Sequence, residues 1–392
     1  MGLERMNSLT RRETLLRLAA AAGAAAFGFD AAYPQNAAPL GDHAPLTDLG
    51  MELTPQQRSA GIDLLNRHVS VDTHCHPGRF FLKGITDPSP TTSAFGEPFE
   101  TAAVADLSAG NVSAGVFSAV ADMSLLEQTA TQGLRAGRDF KPGEAYAEYR
   151  RQIAEIKSLI TSHMVAAGLK PADIESAHRY HKTAAVIGVE GGDFIEDRLE
   201  RVQESFRDGV RVVTLVHYHI NQIGDIQTEP PVHQGLTPLG KSIVREMNRA
   251  GIIMDLAHAT FALTKGVIAI SRKPVMISHT NLATPSLTHP RLITAEHAKM
   301  VAAAGGIIGS WPSGVGNTTF ADYIDSIKRL IDTVGIDHVA IGSDMDANFK
   351  PVLRSYRDWG LIPAALLAQG LREDEAAKIM GGNFLRVFKA NL

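Results

Sequence analysis

Seven side chains able to hold a divalent cation or move a proton recur along the chain: His74, His76, Glu190, His217, His258, His279 and Asp344. Most follow a short apolar run, namely residues 69–72, 185–189, 210–216, 252–256, 275–278 and 338–343. Apolar runs ending in such residues are what the strands of a βα barrel look like where they deliver side chains to one rim. In His74-Cys75-His76, an extended backbone sends both imidazoles to one side, where they can share a cation. Cys75, between them, is expected to face away and pack. Glu190 is followed by Gly191 and Gly192, which let the backbone turn tightly. Its two oxygens suit a bridge between two cations with a hydroxide held between them; a salt-bridged structural glutamate is the plainer alternative. His258 and His279, each at the end of a later run, complete the expected metal set of His74, His76, Glu190, His258 and His279.

Two further residues have the chemistry of catalysis. Asp344, in Gly342-Ser343-Asp344-Met345-Asp346, is placed to take a proton from attacking water and pass it to a leaving nitrogen. Asp346 is its same-side neighbour and suits a structural hydrogen-bonding role better. His217 can donate to the oxyanion that develops at an attacked carbonyl. Arg291, in the loop after His279, can grip a substrate carboxylate with its planar fork, although its spacing equally fits a solvated loop arginine.

Candidate strands at 69–73, 112–119, 184–189, 210–216, 252–256, 274–278, 305–310 and 338–343, with helical patterns between most of them, give the fold class: α/β, a (β/α)8 TIM barrel of the metal-dependent hydrolase type. The helices expected are 54–66, opened by Thr54-Pro55, then 143–167, 238–250, 296–304, 320–333 and 373–380. The Pro-, Thr- and Gly-rich stretch 83–100 reads as a loop over the barrel mouth. Arg11-Arg12 ahead of a short Ala-rich apolar run resembles a twin-arginine export signal, too short to span a bilayer as a helix. The expected organisation is therefore an export signal and linker over 1–38, an extension over 39–68 that packs on the barrel, and a catalytic domain over 69–392. A basic amphipathic helix that stays attached is the alternative for the leader. Export would make the protein periplasmic, with no integral span in its mature form.

A net charge of −4, from 38 basic and 42 acidic residues, argues against nucleic acid as partner and leaves a small molecule. The single cysteine excludes an internal disulfide and a Cys-rich zinc module.

In Val71-Asp72-Thr73-His74, Val189-Glu190-Gly191-Gly192, Leu215-Val216-His217, Gly235-Leu236-Thr237-Pro238, Asp255-Leu256-Ala257-His258, Ser278-His279, Gly342-Ser343-Asp344 and Gly381-Gly382-Asn383-Phe384, the chain resembles the membrane (renal) dipeptidase family of zinc metallopeptidases. The resemblance implies two divalent ions, zinc, with Glu190 bridging, His74 on one ion, and His258 and His279 on the other. It implies hydrolysis of dipeptides, including those with a C-terminal D-residue, with His217 and Arg291 on substrate and Asp344 in proton transfer. A homodimer is among the assemblies open to such a chain. Two departures stand out: His76 replaces the aspartate of the family's His-x-Asp, removing one anionic ligand, and Asp193 stands where a histidine often follows Glu-Gly-Gly. Two other readings remain at this level, an amidohydrolase acting on N-acyl amino acids, lactams or lactones, and a metal-binding protein without catalysis.

Overall fold

The structure is a computed structural model describing residues 49–86, 88–129 and 133–392. The expected leader over 1–38 lies outside the described residues, as does the start of the 39–68 extension. The strands are β1 (Val71–Cys75), β2 (Ala114–Val120), β3 (Leu126–Thr129), β4 (Gly133–Ala136), β5 (Ala166–Ala167), β6 (Ala184–Glu190), β7 (Val210–Thr214), β8 (Ile253–Asp255), β9 (Met276–Thr280), β10 (Ile307–Ser310) and β11 (Val339–Ile341). Eight of them close a parallel barrel in the order β1-β2-β6-β7-β8-β9-β10-β11, with β11 returning to β1. Each expected strand overlaps one of these. Their residues are buried throughout, as parallel strands must be when helices cover one face and the barrel interior the other.

The barrel interior is filled by residues such as Val71, Val116, Val186, Val212, Ile253 and Met276, and Phe384 and Phe388 of the C-terminal helix Asn383–Asn391 pack against this layer. Where β9, β10 and β11 approach, only hydrogen fits at Gly309, since a Cβ there would stand 1.8 Å from the Ser278 carbonyl oxygen. Thr73 Oγ1 lies in the same buried cluster, 2.7 Å from Ser278 O and 2.9 Å from Ile341 O, two carbonyl oxygens that share its one hydroxyl proton.

The helix Pro55–Arg67 begins as its sequence directs: Thr54 caps it, Gln57 closes a capping box and Pro55 occupies the first turn. It lies against the helix Leu361–Ala368, so closely at Gly61 that a Cβ would meet Gly360 O at 2.3 Å. Other expected helices are present as Pro238–Ala250, Ala295–Ala303 and Phe320–Val334. Among the described residues, no helix is long and apolar enough to cross a membrane.

Three expectations need correction. The helix read as 143–167 ends at Thr161; His163 adopts φ +59, and Ala166 and Ala167 leave the helical pattern to pair with Ala184 and Ala185 as β5. The helix read as 373–380 stops at Ala377 and widens into a π turn over Lys378–Gly382, where Gly381 passes so close that a Cβ would stand 2.3 Å from Val69 O. The stretch 83–100 is not all loop, because Ser89 caps a short helix at Pro90–Ala94. The hairpin β3–β4 went unread; it reaches the barrel mouth, where the Ala136 amide donates to Tyr218 O at 3.4 Å.

Candidate metal centre

All seven candidate residues lie at the C-terminal rim of the barrel. His74 is in β1 and His76 just beyond it; Glu190 ends β6 and His279 is in β9; His217, His258 and Asp344 each follow the end of a strand, β7, β8 and β11. His258 and Asp344 reach the centre with left-handed backbone, φ +65 and +53, a conformation costly for residues with a side chain and common where function dictates position.

Glu190 sits in the middle. Its Oε2 is 3.3 Å from His74 Nε2 and 3.5 Å from His76 Nε2, while its Oε1 is 3.1 Å from His258 Nε2 and 3.7 Å from His279 Nε2. The two imidazole pairs are as tight, 3.2 Å for His74–His76 and 3.3 Å for His258–His279. Each trio is buried, with its ligand atoms within 4.8 Å of one another. A tetrahedral ion with bonds of about 2.0–2.1 Å has ligand–ligand edges of about 3.3–3.4 Å, so both triangles fit one face of such a polyhedron.

The hydrogen bonds behind the ligands make the same case. Asp255 Oδ2 accepts a hydrogen bond from the Ser278 hydroxyl at 2.6 Å, leaving Ser278 Oγ to accept from His279 Nδ1 at 2.9 Å. His76 Nδ1 can only donate to the Ser118 carbonyl oxygen 2.8 Å away, and His74 Nδ1 lies 3.2 Å from Ser118 Oγ. With Nδ1 carrying the proton, the Nε2 lone pair is the one offered to the cation. His258 Nδ1 is buried without a hydrogen-bond partner.

Charge divides the centre in two. Burial alone would drive His74 towards neutrality, but Glu190, backed by Asp344 and Asp255, outweighs it and lifts His74 to about 9. His258 and His279 go the other way: burial, with Arg291 and neighbouring histidines, holds both well below the usual histidine range. Glu190 stays ionised despite burial because His217, His74 and His258 surround it. A cation entering beside His74 must displace a proton, whereas His258 and His279 are uncharged.

Three more sequence-read residues border this centre. Asp344 Oδ1 is 3.3 Å from His76 Nε2. His217 Nε2 is 3.5 Å from Glu190 Oε2 and its Nδ1 is 2.6 Å from Asp122 Oδ1. Arg291 Nη2 is 2.8 Å from His279 Nε2. Asp346 turns away to accept from the Gly78 amide at 2.7 Å, and Cys75 is fully buried with Sγ towards Val116 O.

A model of the membrane dipeptidase family, peptidase family M19, matches residues 59–391. The chain belongs to that family. Membership makes it a metal-dependent hydrolase of the dipeptidase class, and the relatives are consistent with that. Dipeptidase verJ of Clonostachys rogersoniana is 33% identical over 264 residues, which are 64% of this chain and 68% of that protein. Dipeptidase tcpJ of Claviceps purpurea is 29% identical over 265 residues, 64% of this chain and 62% of the relative. Among solved structures, the probable dipeptidase PvdM of Pseudomonas aeruginosa superposes with a TM-score of 0.71 at 18% identity, covering 86% of this chain and 99% of that one. A Rhodobacter sphaeroides metallopeptidase, solved with a phosphinate mimic of L-Ala-D-Ala, gives 0.67 at 17% identity, covering 83% and 99%. At these identities the structures establish the shared barrel.

The family member's supporting residues escaped sequence reading. Asp122, just past β2, orients His217; its position at a strand end was the available signal, but no second motif residue stands beside it. Ser118 lies inside an apolar run and gave none, whereas Asp255 and Ser278 stand in motifs quoted above without a role assigned to them. At the second departure, Asp193 is buried with its carboxylate taken by His219 Nδ1 at 2.7 Å and Asn221 at 3.2 Å, while the Tyr218 ring faces His217 and His258.

Proposed function

We propose that this chain is an exported dipeptidase that holds two divalent ions, zinc, one in His74, His76 and Glu190 and one in Glu190, His258 and His279. The observation that carries this reading is the division of Glu190, one oxygen facing each histidine pair. When bound, the ions supply Lewis acidity for the scissile carbonyl and acidify the attacking water. The protein does the rest. Asp344, beside His76, takes the proton released by water and returns it to the leaving amine. His217 donates from Nε2 to the developing oxyanion while Asp122 holds its other nitrogen. Arg291 receives the substrate carboxylate. It is buried, has no carboxylate among the described residues within ion-pair distance, and leaves its Nε without a partner.

Purified protein should release amino acids from L,L and L,D dipeptides, lose this with a strong chelator and regain it with zinc, with two equivalents per chain by elemental analysis. Absence of cleavage across the panel would refute the reading. The neutral His76, in place of an anionic ligand, favours a second reading, hydrolysis of N-acyl amino acids, lactams or lactones at the same centre; turnover of those compounds alone would select it. One metal equivalent without any turnover would instead mark a binding protein. Arg11-Arg12 supports periplasmic export, which a reporter fusion tests: replacing both arginines with lysine should retain the reporter in the cytoplasm.

A further inference from the structure

Residues 225–227 form a strap across the metal-ligand loop. Ile226 pairs with Ala259 in an isolated antiparallel bridge, the Gln227 amide donates to His258 O at 2.8 Å, and the Thr260 amide donates to Asp225 O at 3.3 Å. Asp225 pins the other end of this loop, its carboxylate accepting from the amides of Val232, His233 and Gly235 at 2.7–2.8 Å. The strap fixes the Gln227 backbone, and Gln227 Oε1 accepts from Arg291 Nη1 at 3.0 Å.

Arg291 is 3% exposed. Among the described residues, its guanidinium touches only uncharged acceptors or faces: Gln227 Oε1, His279 Nε2, and the Trp311 ring 5.3 Å from Cζ. His279 Nε2 cannot use one lone pair both for Arg291 and for a cation. In the loaded centre, Gln227 is then the side chain among these that keeps a hydrogen bond to the fork. A carboxylate there would hold the fork as well but would cancel the charge meant for the ligand, because Arg–carboxylate pairs satisfy each other.

We propose that Gln227 is a positioning residue that aims Arg291 at the substrate carboxylate, and that its neutrality sets the preference for an anionic over an amidated C-terminus. The inference rests on the functional reading above. The test compares wild type, Gln227→Glu, which keeps an acceptor but adds charge, and Gln227→Leu, which removes the acceptor at similar size. Each is assayed with L-Ala-D-Ala and titrated calorimetrically, as the zinc-loaded enzyme, with a phosphinate mimic of that dipeptide bearing either a free carboxylate or a C-terminal amide.

Wild type should bind the acid form at least tenfold more tightly than the amide. Both variants should raise KM and weaken binding of the acid form at least tenfold, with kcat, zinc content and binding of the amide within threefold of wild type. A merely structural role would move both ligands and the zinc content together. Equal binding of acid and amide by wild type, or equal changes for both forms in the variants, overturns the inference while leaving the dipeptidase reading intact. Failure of wild type to cleave dipeptides or bind either mimic overturns both.

Discussion

Asp122→Asn removes one charge behind His217 while preserving shape, and its effect can be worked from hydrogen-bond geometry. Asp122 is fully buried and its Oδ1 can only accept, so His217 Nδ1 must carry a proton at 2.6 Å. To donate to an oxyanion as well, His217 needs a second proton on Nε2 and must act as imidazolium. Its pKa lies above the usual histidine value: burial opposes the charge, but Asp122 and Glu190 outweigh it. Asp122 Oδ2 also accepts from the Tyr218 amide at 3.0 Å. Asparagine can keep that bond with its oxygen and turn its NH2 towards His217 Nδ1, leaving a neutral imidazole protonated on Nε2. The donor survives, but a charge-assisted bond of about 1.5–3 kcal/mol becomes a neutral one of about 0.5–1.5 kcal/mol. The expected loss of about 1–2 kcal/mol in the transition state is roughly 5–30-fold in kcat. KM and zinc content should be unchanged. Because the wild-type imidazolium loses its proton as pH rises through a raised pKa, wild type should have an alkaline limb set by that group, and the variant should lack it. Unchanged kcat with the same alkaline limb in both proteins would refute His217 as a charged donor; loss of zinc from the variant would refute the claim that Asp122 acts on His217 rather than on the metal site.

His76→Asp restores an anionic ligand beside Glu190 and should slow zinc loss to a chelator by about tenfold or more, within the range by which changes around metal ligands alter affinity; an unchanged loss rate would show that His76 does not hold the ion. Stability should fall on acidification through His297, which is 3% exposed, lies 2.8 Å from Thr264 Oγ1 and is pushed down to about 4 by burial. The unfolded chain takes up this proton near pH 6.5 and the folded one only near pH 4, so the contribution is complete above about 6.5 and is lost as pH falls towards 4. At about 1.4 kcal/mol per pKa unit, this reaches about 3 kcal/mol. Urea unfolding at pH 7.5 and 5.0 should therefore show a smaller acid loss in His297→Asn than in wild type; parallel losses would exclude His297 as the group responsible.

The barrel was legible because strand-length apolar runs stop at chemically distinct residues, and a strand end is a place as well as a residue type. His74 and His76 could be paired from sequence, since an i, i+2 spacing fixes their side, and helix starts such as Thr54-Pro55 carry their own caps. Local pattern failed where a long-range contact overrode it: at Ala166–Ala167, where pairing with β6 competes with helix, and at Lys378–Gly382, where close passage past β1 accompanies the π turn. Thus the residues that could hold a cation, and the kind of scaffold that gathers them, followed from the order of amino acids alone. Which oxygen of Glu190 faces which pair, that Asp122 stands behind His217 from 95 residues away, and that Gln227 holds Arg291 across 64 residues were decided only by barrel closure. Hydrogen bonds between distant loops leave no period or spacing in the chain; they exist only once eight strands have brought their ends to a single rim.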